Sequence, residues 1–143
     1  MYKRQDYGPQ VVARIEAGFQ FSGVDYLHAL QLRPKIVEQF VKNAFANCDI
    51  ILAPTFNIKT PRIDETDIED GQGFEELISK VSHCTRPFNY LTFPSISLPT
   101  PELVNEMPAA IQLIAPPFCE KMLYCVSGAY EKHTAFSERT PKL

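Results

Sequence analysis

The apolar positions of this chain are densest in two short runs, at residues 93–98 and 109–115. Each run is bounded by prolines, which have no N–H donor and are found at the ends of strands or on sheet edges. Neither run alternates cleanly between apolar and polar residues over its whole length, so we expect strands that are buried on both faces. A third short apolar run, at residues 50–53, predicts a further buried strand. We expect all three strands to lie in one sheet.

The first predicted helix begins near Pro9, because proline favours the first turn of a helix. Its apolar residues Val12, Ile15 and Phe19 recur at steps of three and four, which places them on one face. Gly18 then weakens the helix, since glycine is conformationally free. The pattern predicts a short amphipathic helix that ends at about this glycine.

A longer helix is predicted at residues 25–47. Ser22 and Asp25 have the spacing of an N-terminal capping residue and an acid three positions later. Pro34 lies inside this segment, where it removes one backbone hydrogen bond, so we expect a kink rather than a straight rod. We expect the buried side of the helix to consist of Leu27, Leu30, Val37, Phe40, Val41 and Ala44.

Two further helices, one loop and a tail complete the pattern. Residues 74–83 form a short amphipathic segment, and residues 119–136 carry an apolar stripe with the period of a helix. Residues 57–73 contain five acidic and two basic residues, which predicts an exposed acidic loop. The tail at residues 137–143 is expected to fray.

Composition and charge are those of an ordinary globular chain. The 143 residues are 45% hydrophobic and 22% charged, which suits one domain with a core of its own. The net charge of −3 provides no electrostatic reason to expect direct nucleic-acid binding. No apolar run reaches the roughly 18 residues of a membrane span, and the first residues do not resemble a signal peptide. We therefore expect a cytoplasmic protein that makes no membrane contact.

The cysteines are the first candidates for metal or nucleophile chemistry. Cys48, Cys84, Cys119 and Cys125 form no CxxC pair, and their spacing to the three histidines does not favour a zinc site. We expect free thiols in or near the core. His83 and Cys84 are neighbours, but adjacent residues point in different directions, so a nucleophile with its base is not expected there. We expect no metal and no cofactor.

Several segments form a recognisable series along the chain. They are "VVARIEAGFQFSGVDYLHALQLR", "CDIILAPTF", "TRPFNYLTFPSISLP" and "MPAAIQLIAPPF", followed by the predicted helix "CEKMLYCVSGAYEKH". In order and spacing they resemble the C-terminal region of the amidase signature family. The resemblance implies an α/β fold, as part of the mixed-sheet, three-layer α/β/α architecture of that family. It also implies that residues 1–143 are a single partial domain of a larger serine amidase.

The same resemblance suggests residues that bind substrate. In the glutamine amidotransferase branch of the family, an arginine at the place of Arg14 holds the carboxylate of the substrate. Thr55 and Phe56 follow the strand whose end faces the active-site cleft, and Asn89 matches a loop beside the catalytic centre. That branch also carries an acid seven residues before the asparagine. Here Ser82 stands at that place, which argues against a glutamine-type substrate.

Each of these residues also has an ordinary structural interpretation. Arg14 could be a solvated residue on a helix face or could be paired with a nearby acid. Thr55 and Phe56 could pack at the end of a strand. Asn89 could hydrogen-bond its own turn before the next strand.

The catalytic apparatus of the resembled family has no counterpart in the sequence. Amidase signature enzymes use a Ser–cis-Ser–Lys triad and a loop rich in glycine and serine, whose backbone amides stabilise the oxyanion. The six glycines of this chain are scattered, and no GGSS-like run, GxSxG elbow or SxxK pair occurs. We therefore expect no catalytic residue within the chain.

Two functions remain open at this point. The first is the C-terminal segment of a hydrolase that acts on the C–N bond of a small carboxylic amide, with this segment contributing sheet, helices and part of the substrate cleft. The alternative is a non-catalytic interaction module or pseudoenzyme subunit that pairs with a catalytic chain. In both cases we expect association, either as a homodimer or with the missing catalytic part. We expect an exposed apolar patch to mediate it, with contributions from Phe40, Phe45, Phe88, Tyr90 and Phe93. The segment alone is predicted to be inactive.

Overall fold

The computed structural model describes residues 3–66, 73–104 and 107–136. The helices are α1 (Pro9–Ala17), α2 (Gly23–Ala44), α3 (Ile63–Thr66), α4 (Phe74–Val81), α5 (Arg86–Leu91) and α6 (Glu120–Thr134). The strands are β1 (Ile51–Pro54), β2 (Ser95–Val104) and β3 (Met107–Ile114). Short 3₁₀ turns occur at Arg4–Asp6 and Gly18–Gln20.

The strands form one sheet with the order β1-β3-β2. Both pairings are antiparallel: Ile51 lies opposite Ile114 across one pair, and Leu98 lies opposite Ile111 across the other. The three apolar runs of the sequence therefore share a sheet, as predicted. β3, which comes last in sequence, is the central strand of the described sheet.

Helices cover both faces of this sheet. Successive residues of a strand point to opposite faces, so Leu113 and Ile114 of β3 belong to different layers of the core. Leu113 packs in a cluster with Leu123 of α6. Ile114 packs in a second cluster, against Phe40 and other residues of α2 and α5. The result is a three-layer α/β/α arrangement.

Within the described side chains, burial on both faces is found only in the central strand. From Gln112 to Ala115 the side chains are at most 4% exposed. In the two outer strands burial alternates instead: Leu52 is 64% exposed, and Ser95 and Ser97 are exposed. The prediction of two-sided burial is therefore wrong for the outer strands, because among the described residues only β3 has a strand on each side and a helix layer on each face.

The prolines do not set the strand limits that the sequence suggested. β2 runs past Pro99 and Pro101 to Val104, and β3 begins one residue before Pro108. Pairing between the two strands loses its regular register between Pro99 and Leu103. An outer strand tolerates this, because a proline there forfeits no ladder bond on its open side.

The start of α2 agrees with the predicted capping motif. The Ser22 hydroxyl accepts a hydrogen bond from the Asp25 N–H at 3.2 Å, and the Asp25 carboxylate accepts one from the Ser22 N–H at 2.9 Å. The helix continues without interruption through Pro34. It ends at Ala44, three residues before the predicted end.

Only the C-terminal half of α2 reaches the core. Val37, Phe40 and Val41 pack against the sheet, as predicted. Leu27 and Leu30 were predicted to be buried, but they are 59% and 42% exposed. The physical reason is length, since the helix extends well beyond the three-strand sheet on which it rests.

α1 begins at Pro9 and is followed by Gly18, as predicted. Its Val12 is buried, whereas Phe19, which was predicted on the same face, is 68% exposed. Phe19 falls in the 3₁₀ turn that follows α1, so the helical spacing no longer places it on the buried face. α3 is a single turn inside the predicted acidic loop. Residues 67–72 of that loop and the tail at 137–143 lie outside the described residues.

Candidate functional site

The polar centre of the structure is Gln112, on the central strand. Its side chain is 3% exposed. The amide Nε2 donates to the Pro54 carbonyl at 3.0 Å and to the Cys84 carbonyl at 2.9 Å. These bonds tie the end of β1 to the turn between α4 and α5. A buried amide that is hydrogen-bonded to backbone in this way fixes the position of both segments.

That turn is also held by its own side chains. The Arg86 guanidinium donates from Nη2 to the Ser82 hydroxyl at 2.8 Å. The Ser82 hydroxyl in turn donates to the Ile78 carbonyl, one turn back on α4. Arg86 is therefore anchored at one nitrogen at the start of α5.

Arg86 and Arg14 line the same cavity. It has a volume of about 420 Å³ and lies between α1, α4 and the start of α5. The other lining residues are Ala17, Glu75, Ile78 and Ser79. The cavity therefore combines two guanidinium groups and one carboxylate with short or apolar walls.

Thr55 and Phe56 directly follow β1, at the end of that strand. The Thr55 backbone N–H continues the ladder to the Ala110 carbonyl at 3.0 Å, and its hydroxyl lies 3.0 Å from the Ser97 hydroxyl. Phe56 is 51% exposed and lines a smaller cavity of about 130 Å³ with Pro108. Thr55 thus has the strand-end role that was its ordinary interpretation, and Phe56 remains accessible.

Asn89 does not lie in a turn before the strand, as its ordinary interpretation required. It lies inside α5, where its N–H donates to the Thr85 carbonyl at 3.1 Å. The proline after Arg86 starts this helix, because proline is accepted in a first helical turn. Asn89 lines a cavity of about 780 Å³ whose walls include Phe88 and Phe118.

The four residues suggested by the sequence are therefore not brought together in one site. Arg14, Phe56 and Asn89 belong to three different ones, and Thr55 lies in the sheet beside the second. The sequence reasoning missed Gln112 and Arg86. A signal existed for Gln112, since it is the single polar residue in the apolar run at 109–115.

Among the residues that the structure describes, two carboxyl groups have a shifted pKa, and neither lines the cavity of Arg14. Hydrogen bonds from the Ser22 side chain and backbone hold the pKa of Asp25 below its ordinary value. A hydrogen bond from Lys80, at 2.7 Å, and its positive charge lower the pKa of Glu76. Both groups are exposed and serve helix structure.

The cysteines are free thiols, as predicted. Cys84 and Cys119 are half-buried, whereas Cys48 and Cys125 are exposed, which corrects the expectation that all four lie in or near the core. Across the ranges that the structure describes, no group of three or more His, Cys, Asp or Glu residues is arranged to hold a metal ion. Within those ranges, too, no helix has the length and apolar character needed to cross a membrane.

Comparison with known proteins decides the family. The sequence model of the amidase family matches residues 2–124. The chain belongs to the amidase family. The fold agrees, because the chain superposes on the structure of 6-aminohexanoate cyclic dimer hydrolase with a TM-score of 0.79 over 99% of its length, at 23% sequence identity.

Among individual amidase relatives, a Mycobacterium tuberculosis protein that is named as amidase AmiD is 30% identical over 97% of this chain. A glutamyl-tRNA(Gln) amidotransferase chain of Moorella thermoacetica is 31% identical over 99% of the chain. The chain spans 29% and 28% of the length of these two relatives, respectively. It spans 31% of the hydrolase structure.

Proposed function

We propose that this chain is the C-terminal segment of an amidase that hydrolyses the C–N bond of a small carboxylic amide. The observation that carries the proposal is the family match over residues 2–124, together with a span of about 30% of the relatives' length. The segment contributes three strands, covering helices and part of the substrate cleft. The nucleophile and its base come from residues outside this sequence, since no serine and lysine here have the spacing of a known acylating pair.

Within this proposal, Arg14 binds substrate, and Thr55, Phe56 and Asn89 form cleft walls. Support for Arg14 comes from its cavity, which is also lined by the guanidinium of Arg86 and is accessible to a ligand. Support for Phe56 and Asn89 comes from their exposure beside separate cavities. Thr55 acts by holding the sheet end through Ser97.

The test compares the chain alone with a chimera. The 143-residue chain is expected to show no turnover of a p-nitroanilide and no labelling by a serine-reactive fluorophosphonate. In the chimera, this chain replaces the matching part of the mycobacterial AmiD, so that the remaining residues come from AmiD. The chimera is expected to be labelled, because the missing groups are then supplied on the same fold. Steady turnover by the chain alone would contradict the proposal.

A second candidate function is a non-catalytic subunit that pairs with a catalytic chain. The observation that favours it is the amount of exposed apolar surface, including Leu52 at 64% and Phe118 at 94% exposed. Surface of this kind marks a place where another protein or segment binds. A chimera that folds by circular dichroism but is not labelled would favour this second function.

A further inference from the structure

Phe118 is the most exposed of the large apolar residues that the structure describes, at 94%. It lies between β3 and α6, in a turn that the Cys119 N–H closes by donating to the Pro116 carbonyl at 3.1 Å. Ala115, directly before this turn, is completely buried, and its N–H donates to the Pro94 carbonyl at 3.1 Å. The Phe118 ring is therefore displayed on a turn whose base is fixed in the core.

The backbone of Phe118 is strained. Its φ is 65°, in the left-handed region that is costly for a residue with a Cβ. Phe118 is the third residue of the turn and follows Pro117; a positive φ at this place normally selects glycine or asparagine. Because the ring is almost fully exposed, burial within the described chain offsets little of this cost. A strained residue of this kind indicates a function for its side chain.

A second strained residue lies at the same place in the fold. Thr92, at the end of α5, has a φ of 58°. Thr92 and Phe118 both line the cavity of about 780 Å³ that also contains Asn89. Of the three non-glycine residues with positive φ in the described chain, two thus line one cavity. Strained backbone is concentrated at binding surfaces and switch regions, so this concentration marks the cavity as a contact site.

The lining of this cavity has the composition of a protein–protein contact. Phe93 is buried and Phe88 is half-buried, and both contribute to its apolar walls. Its polar lining residues, Asn89, Thr92 and Glu120, are all exposed. An apolar centre inside a polar rim is typical of the surface between two proteins or two parts of one protein.

The length of the relatives indicates what covers this surface. The chain spans 29% of the mycobacterial AmiD and 31% of the cyclic dimer hydrolase structure. More than two thirds of each of these proteins therefore lies outside the matched region. That part is large enough to bury both the ring of Phe118 and the cavity beside it.

We propose that the Phe118 turn, residues 116–119, and the adjoining cavity are the docking site for the part of the amidase chain that this sequence does not contain. The ring of Phe118 inserts into an apolar socket of that part, and an apolar side chain of that part enters the cavity over Phe88 and Phe93. An aromatic anchor in an apolar socket contributes a large share of the energy of such a contact. The occupant rests on the proposed function, which takes this chain as one segment of an amidase. Since Asn89 lies on the rim, the contact borders the cleft wall assigned to that residue.

The experiment uses the chimera with AmiD and places a photoreactive side chain at the turn. With Phe118→p-benzoylphenylalanine, illumination is expected to cross-link the turn to AmiD-derived residues, and mass spectrometry identifies the site. Cross-links confined to residues 1–143, or no cross-link to protein, would overturn the proposal. A covalent dimer would also overturn it, because the occupant would then be a second copy.

Tyr124→p-benzoylphenylalanine is the matched control. Tyr124 is an aromatic residue of α6 that is 71% exposed and lies outside the cavity lining. It is expected to give no cross-link to the AmiD-derived part. Equal cross-linking from both positions would show that the reaction does not depend on the Phe118 turn, which would overturn the docking site.

Thermal unfolding of Phe118→Ala provides a second measurement. In the chimera the melting temperature is expected to fall by about 5 °C or more, because a buried aromatic anchor is lost. In the isolated chain it is expected to stay within about 2 °C, because the ring is exposed there. Tyr124→Ala should stay within the same narrow range in the chimera, and a comparison of these two chimera variants decides if the isolated chain has no sharp transition. Equal shifts for the two variants in the chimera would contradict the docking role.

Labelling by the fluorophosphonate separates this proposal from the proposed function. A chimera that cross-links through Phe118 as expected but is not labelled would support the docking site and contradict the hydrolase. A labelled chimera without that cross-link would support the hydrolase and overturn the docking site.

Discussion

At the scale of single residues, the described site depends on one amide in the middle of the sheet. Gln112 is a polar residue in an otherwise apolar part of the core. The free-energy cost of burying its side-chain amide is offset by two hydrogen bonds to backbone carbonyls. Since those carbonyls belong to β1 and to the turn before α5, one side chain links three segments that are distant in sequence. The position of Arg86 depends on that link.

Gln112→Leu is expected to reduce the free energy of unfolding by about 1–3 kcal/mol, because two hydrogen bonds are lost and their carbonyl partners stay unpaired. Gln112→Glu should cost more, since a carboxylate cannot donate and its charge is buried. Urea unfolding followed by circular dichroism measures both. Gln31→Leu, at an exposed position of α2, is the control and should change stability by less than about 0.5 kcal/mol. Equal effects of Gln112→Leu and the control would contradict the assigned role.

At the scale of elements, α2 shows how the start of a helix can be specified locally although most of its apolar side chains there remain exposed. Its capping box is complete, although the helix has no fully buried residue. Local hydrogen bonds at Ser22 and Asp25 therefore stabilise an end that packing does not. Such an end responds directly to the ionisation of its capping acid.

The sign of this response follows from the pKa of Asp25, which Ser22 lowers in the folded chain. The group stabilises the fold at pH values above its unfolded pKa, and this contribution disappears as the pH falls through the folded pKa. The melting temperature should therefore fall more steeply between about pH 5 and pH 2.5 in the unchanged chain than in Asp25→Asn. Asp49→Asn, at an exposed acid outside the cap, should follow the unchanged chain. Parallel curves for Asp25→Asn and the unchanged chain would contradict this role.

At the scale of the whole molecule, the exposed apolar surface is not where the sequence suggested. Phe40, Phe45, Phe88, Tyr90 and Phe93 were expected to contribute to an exposed patch. Four of them, the phenylalanines, instead form a packed cluster with ring centroids 5.2–6.3 Å apart. Tyr90 is exposed, at 44%, as expected. The more exposed apolar residues lie elsewhere and include Phe21 at 69%, Tyr26 at 64%, Leu27 at 59%, Leu52 at 64% and Phe118 at 94%.

We expect the isolated chain to associate with itself through the outer strand β1. Leu52 projects from this strand, and an exposed apolar edge is a template for pairing with another strand. Size-exclusion chromatography with light scattering should show species larger than a monomer, and Leu52→Lys should shift them toward the monomer. Ile63→Lys, at an 87% exposed residue of α3, should have no such effect. A monodisperse monomer with a sharp near-ultraviolet spectrum would favour the non-catalytic module.

The sequence determined the three strands and four of the six helices that the structure describes, because their signals are local; α3 and α5 were not predicted. Pro9 and Gly18 bound α1, Ser22 and Asp25 start α2, and short apolar runs mark the strands, since each depends on a residue and its near neighbours. The family followed from segments whose order and spacing are visible along the chain. The α/β fold followed from the family.

Only the tertiary structure decided which strand is central and which cations share a cavity. Burial on both faces of β3 depends on the order of strands, which a periodic pattern does not encode. Gln112 reaches the Cys84 carbonyl 28 positions away, and Arg14 meets Arg86 in one cavity across more than half of the chain. Such contacts arise from the packing of helices on a sheet, because side chains that are remote in sequence meet only when the layers form.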